Sequence, residues 1–414
     1  MSGGNLGLFQ GFGVELEYMI VDSETLAVKP AADQLLRVNG GYESEVEHGA
    51  LAWSNELVLH VIELKTNGPT ASLSGLAHVF QDDVRSINQL LQPLRATLMP
   101  TAMHPTMDPH RETVLWPHEY NEVYATFNKI FDCSGHGWSN LQSVHINLPF
   151  KDDNEFARLH SAIRLVLPII PALAASSPVT DGTIRPWLDT RMEVYRGNSA
   201  KIPSVTGLVI PEPVASQSEY QERILDPIYA DLAPFDPEGI VRYEWANARG
   251  AIARFDRNTI EIRVVDLQEC PLADLGVVAA IVAAVRTLTE ERYASLAMQQ
   301  RIDTESLAAM LHQAIARADE AVIADREYLT TFGLEANPGL PAGEVWRRLV
   351  ESTGSLASDL SEWSAPLETI LTEGCLARRI VRRLGNNSAP DRIRAAYRDL
   401  VECLAQGELF RSRA

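Results

Sequence analysis

Lysine is scarce in this chain. Of 36 basic residues in a length of 414, only Lys29, Lys65, Lys129, Lys151 and Lys201 are lysine, and the rest are arginine. Set against 55 acidic residues, they leave a formal net charge of −19. Such a balance argues against a general nucleic-acid binder, whose affinity comes from neutralised phosphates. A local pocket of arginines stays open, because guanidinium offers planar, bidentate contacts to phosphate and carboxylate. Cysteine is scarce too. Cys133, Cys270, Cys375 and Cys403 are scattered with no CxxC pair, which argues against a disulfide framework and fits a reducing compartment. Long apolar runs are missing: 163–175 holds Pro168 and Pro171, and 275–285 is too short to span a bilayer. The opening MSGGNLGLFQGFG has neither the basic stretch nor the apolar stretch of a signal peptide. A cytoplasmic protein with no membrane and no nucleic-acid partner is expected. With 46% hydrophobic residues, the chain can bury a core without staples, which excludes disorder as its dominant state.

Two textures divide what remains. Residues 11–271 mix short β-rich runs with Pro, Gly and Asn, whereas 272–414 are almost wholly helical in pattern. Without a repeat or a clear linker between them, the expectation is a single domain over 1–414. Strands are predicted over Gly13–Asp22, 56–66, Ser143–Pro149 and Thr259–Asp266, each rich in β-branched residues and bounded by turn residues. Helices are predicted over 72–99, 153–175 and from Pro390 to about Gln406, with a further apolar stripe at Leu307, Leu311, Ala314, Ala318 and Val322. Strands clustered early and helices between and after them indicate an α+β fold with a largely antiparallel sheet, helices outside it and a helical C-terminal layer.

The strands carry the sharpest chemical signal. In GVELEYMIVD, Glu15 and Glu17 project from one face and Val14, Leu16 and Tyr18 from the other. Glu261 and Arg263 share a face in TIEIRVVD, as do Ser143, His145 and Asn147 in SVHINLP. Half-buried antiparallel strands that merely meet water alternate in the same way. Three such strands together point further. Neighbouring carboxylates repel unless something positive lies between them, and a divalent cation answers that economically; Mg²⁺ takes oxygen ligands, and imidazole with carboxylate also suits Mn²⁺. Arg263 would then face an anion, with phosphate the obvious candidate. Glu56 and Glu63 are seven apart, so strict alternation places them on opposite faces; both reach one site only if a bulge or a strand end intervenes.

The ordered set GVELEYMIVD, NELVLHVIELKTNGP, AMHPTMDP, SVHINLPF, LAASSPVTDG with LDTRMEVYR, and RFDRNTIEIRVVD resembles glutamate–cysteine ligase family 2, the carboxylate–amine ligase branch, over roughly 11–290. The resemblance implies a glutamine synthetase-like fold, a curved antiparallel sheet forming a funnel with ATP entering from one end and the amino acid from the other. It implies Mg²⁺ or Mn²⁺ on the inner face, with Glu15, Glu17, Glu56, Glu63, His145 and Glu261 as ligands or their neighbours. Arg263 and Arg254 would face the γ-phosphate, and Arg191, Tyr195 and Arg196 fall where the family binds its carboxylate substrate. The implied reaction activates a small-molecule carboxylate, glutamate through its γ-carboxyl, as an acyl phosphate that an amine then attacks; cysteine is the best-known acceptor. A non-catalytic relative that binds nucleotide or metabolite, and a metal-dependent phosphotransferase on the same sheet, are the alternatives.

Other features weigh less. The glycine-rich opening lacks the Gly-Lys-Ser/Thr ending of a phosphate loop. Cys133, Ser134 and His136 read as a loop rather than a nucleophile pair. Lys201, in the Pro-rich stretch 197–214, is a candidate phosphate contact for ATP. The apolar helices would suit a homodimer.

Overall fold

The computed structural model describes residues 5–335, 338–352, 360–385 and 388–411. Eight strands form its main sheet: β1 (Gly13–Asp22), β2 (Glu45–His48), β3 (Leu51–Asn55), β4 (Val61–Thr66), β5 (Ala96–Met99), β6 (Ser143–Pro149), β7 (Ala251–Arg254) and β8 (Thr259–Asp266). Their order is β7-β8-β6-β1-β4-β3-β2, with β5 also on β1, and every pairing is antiparallel. The helices that bear on the site are α1 (Leu76–Leu91), α2 (Asn121–Phe131), α3 (Asp153–Val166), α4 (Thr190–Tyr195), α5 (Pro271–Thr289), α6 (Thr304–Arg317), α7 (Leu376–Leu384) and α8 (Pro390–Gln406).

Alternation along the strands splits the sheet into two faces. Val14, Leu16, Tyr18, Ile62, Leu64, Val144, Ile146, Ile260 and Ile262 are fully or almost fully buried in one core, together with Phe80, Val84 and Ile87 of α1 and Phe156, Leu159 and Ile163 of α3. The 19-residue α5 packs against α1 and α3. It is long and apolar enough to cross a membrane, with mean hydropathy 1.8, but 83% of it is buried inside the protein. A helix covered on all sides has no need of a polar face. The C-terminal helices α7 and α8 close a second cluster over Met19, Val21 and Met99. A buried ion pair, Arg379 Nη1 to Glu269 Oε1 at 2.5 Å, ties α7 to the segment after β8.

Several predicted elements are shorter than the pattern suggested. The helix expected over 72–99 is α1, then a tight turn at Gln92–Leu94, then β5; Pro93 and the left-handed Arg95 (φ 51°) end the helical course. The helix over 153–175 stops at Val166, and Pro168 and Pro171 divide the rest into short turns. The stripe to Val322 is helical only to Arg317; Ala318 has φ 48°, and Val322 belongs to a short exposed strand. Leu307, Leu311, Ala314 and Ala318 are buried within the chain itself, so the stripe needs no second subunit to cover it. The strand over 56–66 begins only at Val61, and β2, β3, β5 and β7 are strands that the pattern did not single out.

Candidate active site

Cross-strand register assembles the polar face. Glu15 lies opposite Lys65 on β4 and His145 on β6; Glu17 lies opposite Glu63; Glu63 lies opposite Ser54 on β3; Asn147 lies opposite Glu261 on β8. Same-face neighbours at this separation interact directly. His145 Nδ1 is 2.9 Å from Glu15 Oε2, and Nε2 is 3.0 Å from Ser143 Oγ and 3.7 Å from Glu17 Oε1. Glu17 Oε2 accepts from Ser143 N at 2.6 Å and from Ser143 Oγ at 2.9 Å. Asn147 Nδ2 donates to Glu15 Oε1 at 2.9 Å. Two residues before Glu15 the strands approach closely: a Cβ on Gly13 would stand 2.9 Å from the Cβ of Asn147.

Glu56 reaches this group because it is not in a strand. It follows the end of β3, and the connection to β4 resets the alternation. Glu17, Glu56 and Glu63 each bring an oxygen within 4.8 Å of the others, and so do the ligand atoms of Glu15, Glu63 and His145. Glu63 belongs to both groups. His60 is placed away from them, with Nε2 at 2.7 Å from Ser139 O.

A bulge shapes the opposite end. In the β6–β8 ladder Ile262 pairs with Ile146 but Val265 with Val144, so Arg263 and Val264 together stand across from His145. Such an insertion re-aims side chains. Arg263 Nε lies 2.9 Å from Glu261 Oε1, and Arg254 Nη1 lies 3.4 Å from Glu261 Oε2. Two guanidiniums thus share Glu261, and Arg254 is also 3.5 Å from Asp256 and 3.8 Å from Glu244, so the arginines gather at one end beside the acidic group.

Charge and burial pull the titrations apart. Burial pushes Glu56 well above the usual carboxylate range, and Glu17 and Glu63 add to it. Glu63 is pushed up to about 7 by burial and by Glu15, against the pull of Lys65 and Ser54. Burial also acts to raise Glu15, but the hydrogen bond and charge of His145 outweigh it and hold Glu15 at about 2. Burial opposes the charge on His145, yet Glu15 and Glu17 lift it to about 9. The protonated imidazole offsets part of this carboxylate charge, and it becomes a metal donor only on losing that proton. The donor set fits a hard divalent ion: carboxylate oxygens and one imidazole, too close together to be ionised without a compensating charge.

One cavity of about 530 Å³ contains Glu15, Glu17, Glu56, Glu63, His145, Glu261, Arg254, Arg263, Arg191 and Tyr195 in its lining. Glu261 is in neither three-ligand group found among the described residues; it neutralises the two arginines. Arg191 is committed to a fully buried ion pair with Asp266 and to the carbonyl of Arg263, so it braces the bulge. Two predicted residues lie outside the lining. Arg196 turns to Glu193 at 2.8 Å, one helical turn back. Lys201 Nζ donates to Ile130 O at 2.8 Å and sits over the Phe235 ring. Cys133 is buried and its thiol is pushed up to about 12 by burial and by Asp132, while His136 pairs with Asp181 at 3.0 Å, which leaves no activated thiol there.

The lining also holds residues the strand pattern did not bring forward. Lys65 ion-pairs with Glu45 at 2.6 Å and Glu63 at 3.4 Å; its place two residues after Glu63, on the same face, was the available signal. Tyr120, Val123, Tyr124 and Phe127 come from α2 and the residue before it, and Trp138 and Trp245 flank them. Their helical spacing was readable, but not what it faced.

The model of the glutamate-cysteine ligase family 2 matches residues 11–400. An uncharacterised protein of Archaeoglobus fulgidus is 33% identical over 334 residues, covering 79% of this chain and 90% of that protein. A protein of Rubrobacter xylanophilus, provisionally named glutamate–cysteine ligase 2-3, is 25% identical over 216 residues, covering 51% of this chain and 53% of its own length. Among solved structures, glutamate–cysteine ligase of Francisella tularensis in complex with AMP superposes with a TM-score of 0.61 at 11% identity, over 97% of this chain and 90% of that one. That likeness establishes a shared fold.

Proposed function

Because the chain belongs to glutamate–cysteine ligase family 2, and so to the ATP-dependent carbon–nitrogen ligases, we propose that it joins the γ-carboxyl of glutamate to an amine through an acyl phosphate. The observation that carries this reading is the division of a single cavity into a carboxylate–imidazole end and an arginine end.

A carboxylate is a poor electrophile because it is anionic and its oxygen leaves badly. In the proposed reaction a γ-carboxylate oxygen attacks the γ-phosphorus of ATP, ADP departs, and the resulting acyl phosphate has a good leaving group. Arg263 and Arg254 hold the transferring phosphoryl group by charge and by the planar geometry of guanidinium. The bulge braced by Arg191 and Asp266 aims Arg263, and Tyr195 lies beside it. Glu15, Glu63 and a neutral His145, with Glu17 beside them, would hold Mg²⁺ or Mn²⁺, which when bound supplies charge neutralisation for the phosphates. The residues' own task is position: Ser143 and Asn147 fix Glu17 and Glu15, and Ser54 and Lys65 fix Glu63. The contacts of α7 and α8 with the sheet support one catalytic unit over the whole chain, working in the cytoplasm where ATP and glutamate meet.

The test is ADP formation by the purified chain with Mg²⁺, ATP and glutamate in the presence of hydroxylamine. The reading expects glutamyl hydroxamate, detected by mass, in amounts equal to ADP. ADP without hydroxamate, or no ADP with any carboxylate offered, overturns it.

A further inference from the structure

One wall of the cavity is aromatic: Tyr124, Phe127 and Trp245 are partly buried against the core and also line the cavity. Val123, Tyr124 and Phe127 lie on one face of α2, Tyr120 stands just before the helix with φ 66°, and all four line the cavity. Only Ile130 of α2 is buried. An amphipathic helix normally spends its apolar face on the core; here Tyr124, Phe127 and Phe131 pack against the core, and Tyr124 and Phe127 also reach the cavity. Phe127 stands 5.6 Å from both Trp138 and Trp245, so the face continues as aromatic surface.

The wall meets the acidic end of the cavity. Asn55 Nδ2 donates to Tyr124 Oη at 2.9 Å and to the carbonyl of Glu56 at 3.1 Å, which places the Tyr124 ring beside Glu56. With Glu15, Glu63 and His145 as the ion-binding group, Glu56 is left to face an ammonium group. That end does not suit a second carboxylate: Lys65 is held by Glu45 and Glu63, and Arg191 by Asp266. Of the arginines at the far end, Arg254 and Arg263 are assigned above to phosphate, and Arg257 lies 3.7 Å from Asp256, away from the acidic group. An α-amino acid acceptor would therefore leave its own carboxylate facing acidic residues.

Resting on the ligase reading above, we propose that the acceptor is a ring-bearing or large apolar primary amine without an α-carboxylate. Its amino group lies toward Glu56, and its ring lies on the Tyr124–Phe127 face of α2. The amine nitrogen attacks the acyl carbon, the C–N bond forms, the C–O bond to phosphate breaks, inorganic phosphate leaves, and the surplus ammonium proton passes to water. Tyr124 and Phe127 set specificity by packing on the ring.

The experiment compares phenethylamine and tyramine with cysteine and alanine as acceptors for the full-length protein with ATP, Mg²⁺ and glutamate, beside the hydroxylamine arm. The expected result is a kcat/KM for phenethylamine about tenfold or more above that for cysteine. Phe127→Ala and Tyr124→Ala each raise KM for the amine about tenfold while KM for ATP rises less than about threefold. Hydroxamate formation together with a preference for cysteine overturns the inference and leaves the ligase standing. A rise in KM for ATP instead of the amine assigns the wall to the nucleobase and also overturns it. Absence of hydroxamate overturns the ligase reading, and the inference with it.

Discussion

Glu63→Gln tests the electrostatic account of the site without needing a substrate. Glu63 is buried, with its side chain 8% exposed, and its pKa stands at about 7 where 4.5 is ordinary. A carboxyl raised in the folded state contributes stability that is complete below its unfolded pKa and is lost as pH climbs through the folded one. At about 1.4 kcal/mol per pH unit, ionising it costs the fold about 3 kcal/mol by pH 8, and shared protonation with Glu15 brings that to about 1–3 kcal/mol. Glutamine keeps the shape and one acceptor and removes the charge. The variant is therefore expected to exceed the parent by about 1–3 °C in Tm at pH 8 in EDTA, given about 2 cal/mol/K of unfolding entropy per residue, and to match it near pH 4. Mg²⁺ at about a hundredfold excess over its Kd should stabilise the parent by about 2.7 kcal/mol and the variant far less, since Glu63 belongs to both ligand groups. The assay is calorimetry at the two pH values with EDTA or Mg²⁺. A variant less stable than the parent at pH 8 in EDTA, or equal stabilisation of both proteins by Mg²⁺, would refute the reasoning.

Three further outcomes are expected. The double variant Glu15→Gln, Glu261→Gln loses metal-dependent turnover while its circular dichroism is unchanged; retained activity would remove the carboxylate cluster from the mechanism. Arg191→Met strands the buried Asp266 carboxylate and costs about 3–5 kcal/mol, measured as a lowered urea midpoint; a midpoint within error of the parent would show that the bulge needs no brace. Lys201→Ala leaves KM for ATP within about twofold, because its ammonium is spent on Ile130 O and Phe235; a large rise in that KM would return Lys201 to the site.

β1, β6 and β8 were legible because alternation is local. A strand that buries Val14, Leu16 and Tyr18 must turn Glu15 and Glu17 the other way, whatever lies beside it. Prolines were legible as well, but the weight of an apolar run concealed them: 72–99 and 153–175 read as long helices until Pro93, Pro168 and Pro171 were seen to cut them. Glu56 was obscure for a related reason. Period-two counting assumes an unbroken strand, and only the break between β3 and β4 brings Glu56 and Glu63 together. Arg196 matched a family segment and Lys201 stood in the Pro-rich stretch after it, yet their side chains were claimed by nearer partners, Glu193 and the Ile130 carbonyl.

By itself the sequence determined which residue types lie on the polar faces of its strands, the excess of arginine over lysine, and the ordered motifs that place the chain in its family, since each depends on neighbours within a few positions. Tertiary structure alone decided which faces meet. It set Glu15 between Lys65 and His145, bulged β8 so that Arg263 faces the carboxylates, and placed Tyr124 and Phe127 of α2 where they meet both the core and the cavity. Those outcomes depend on contacts between segments far apart in the chain, whose register and crossings no local pattern encodes.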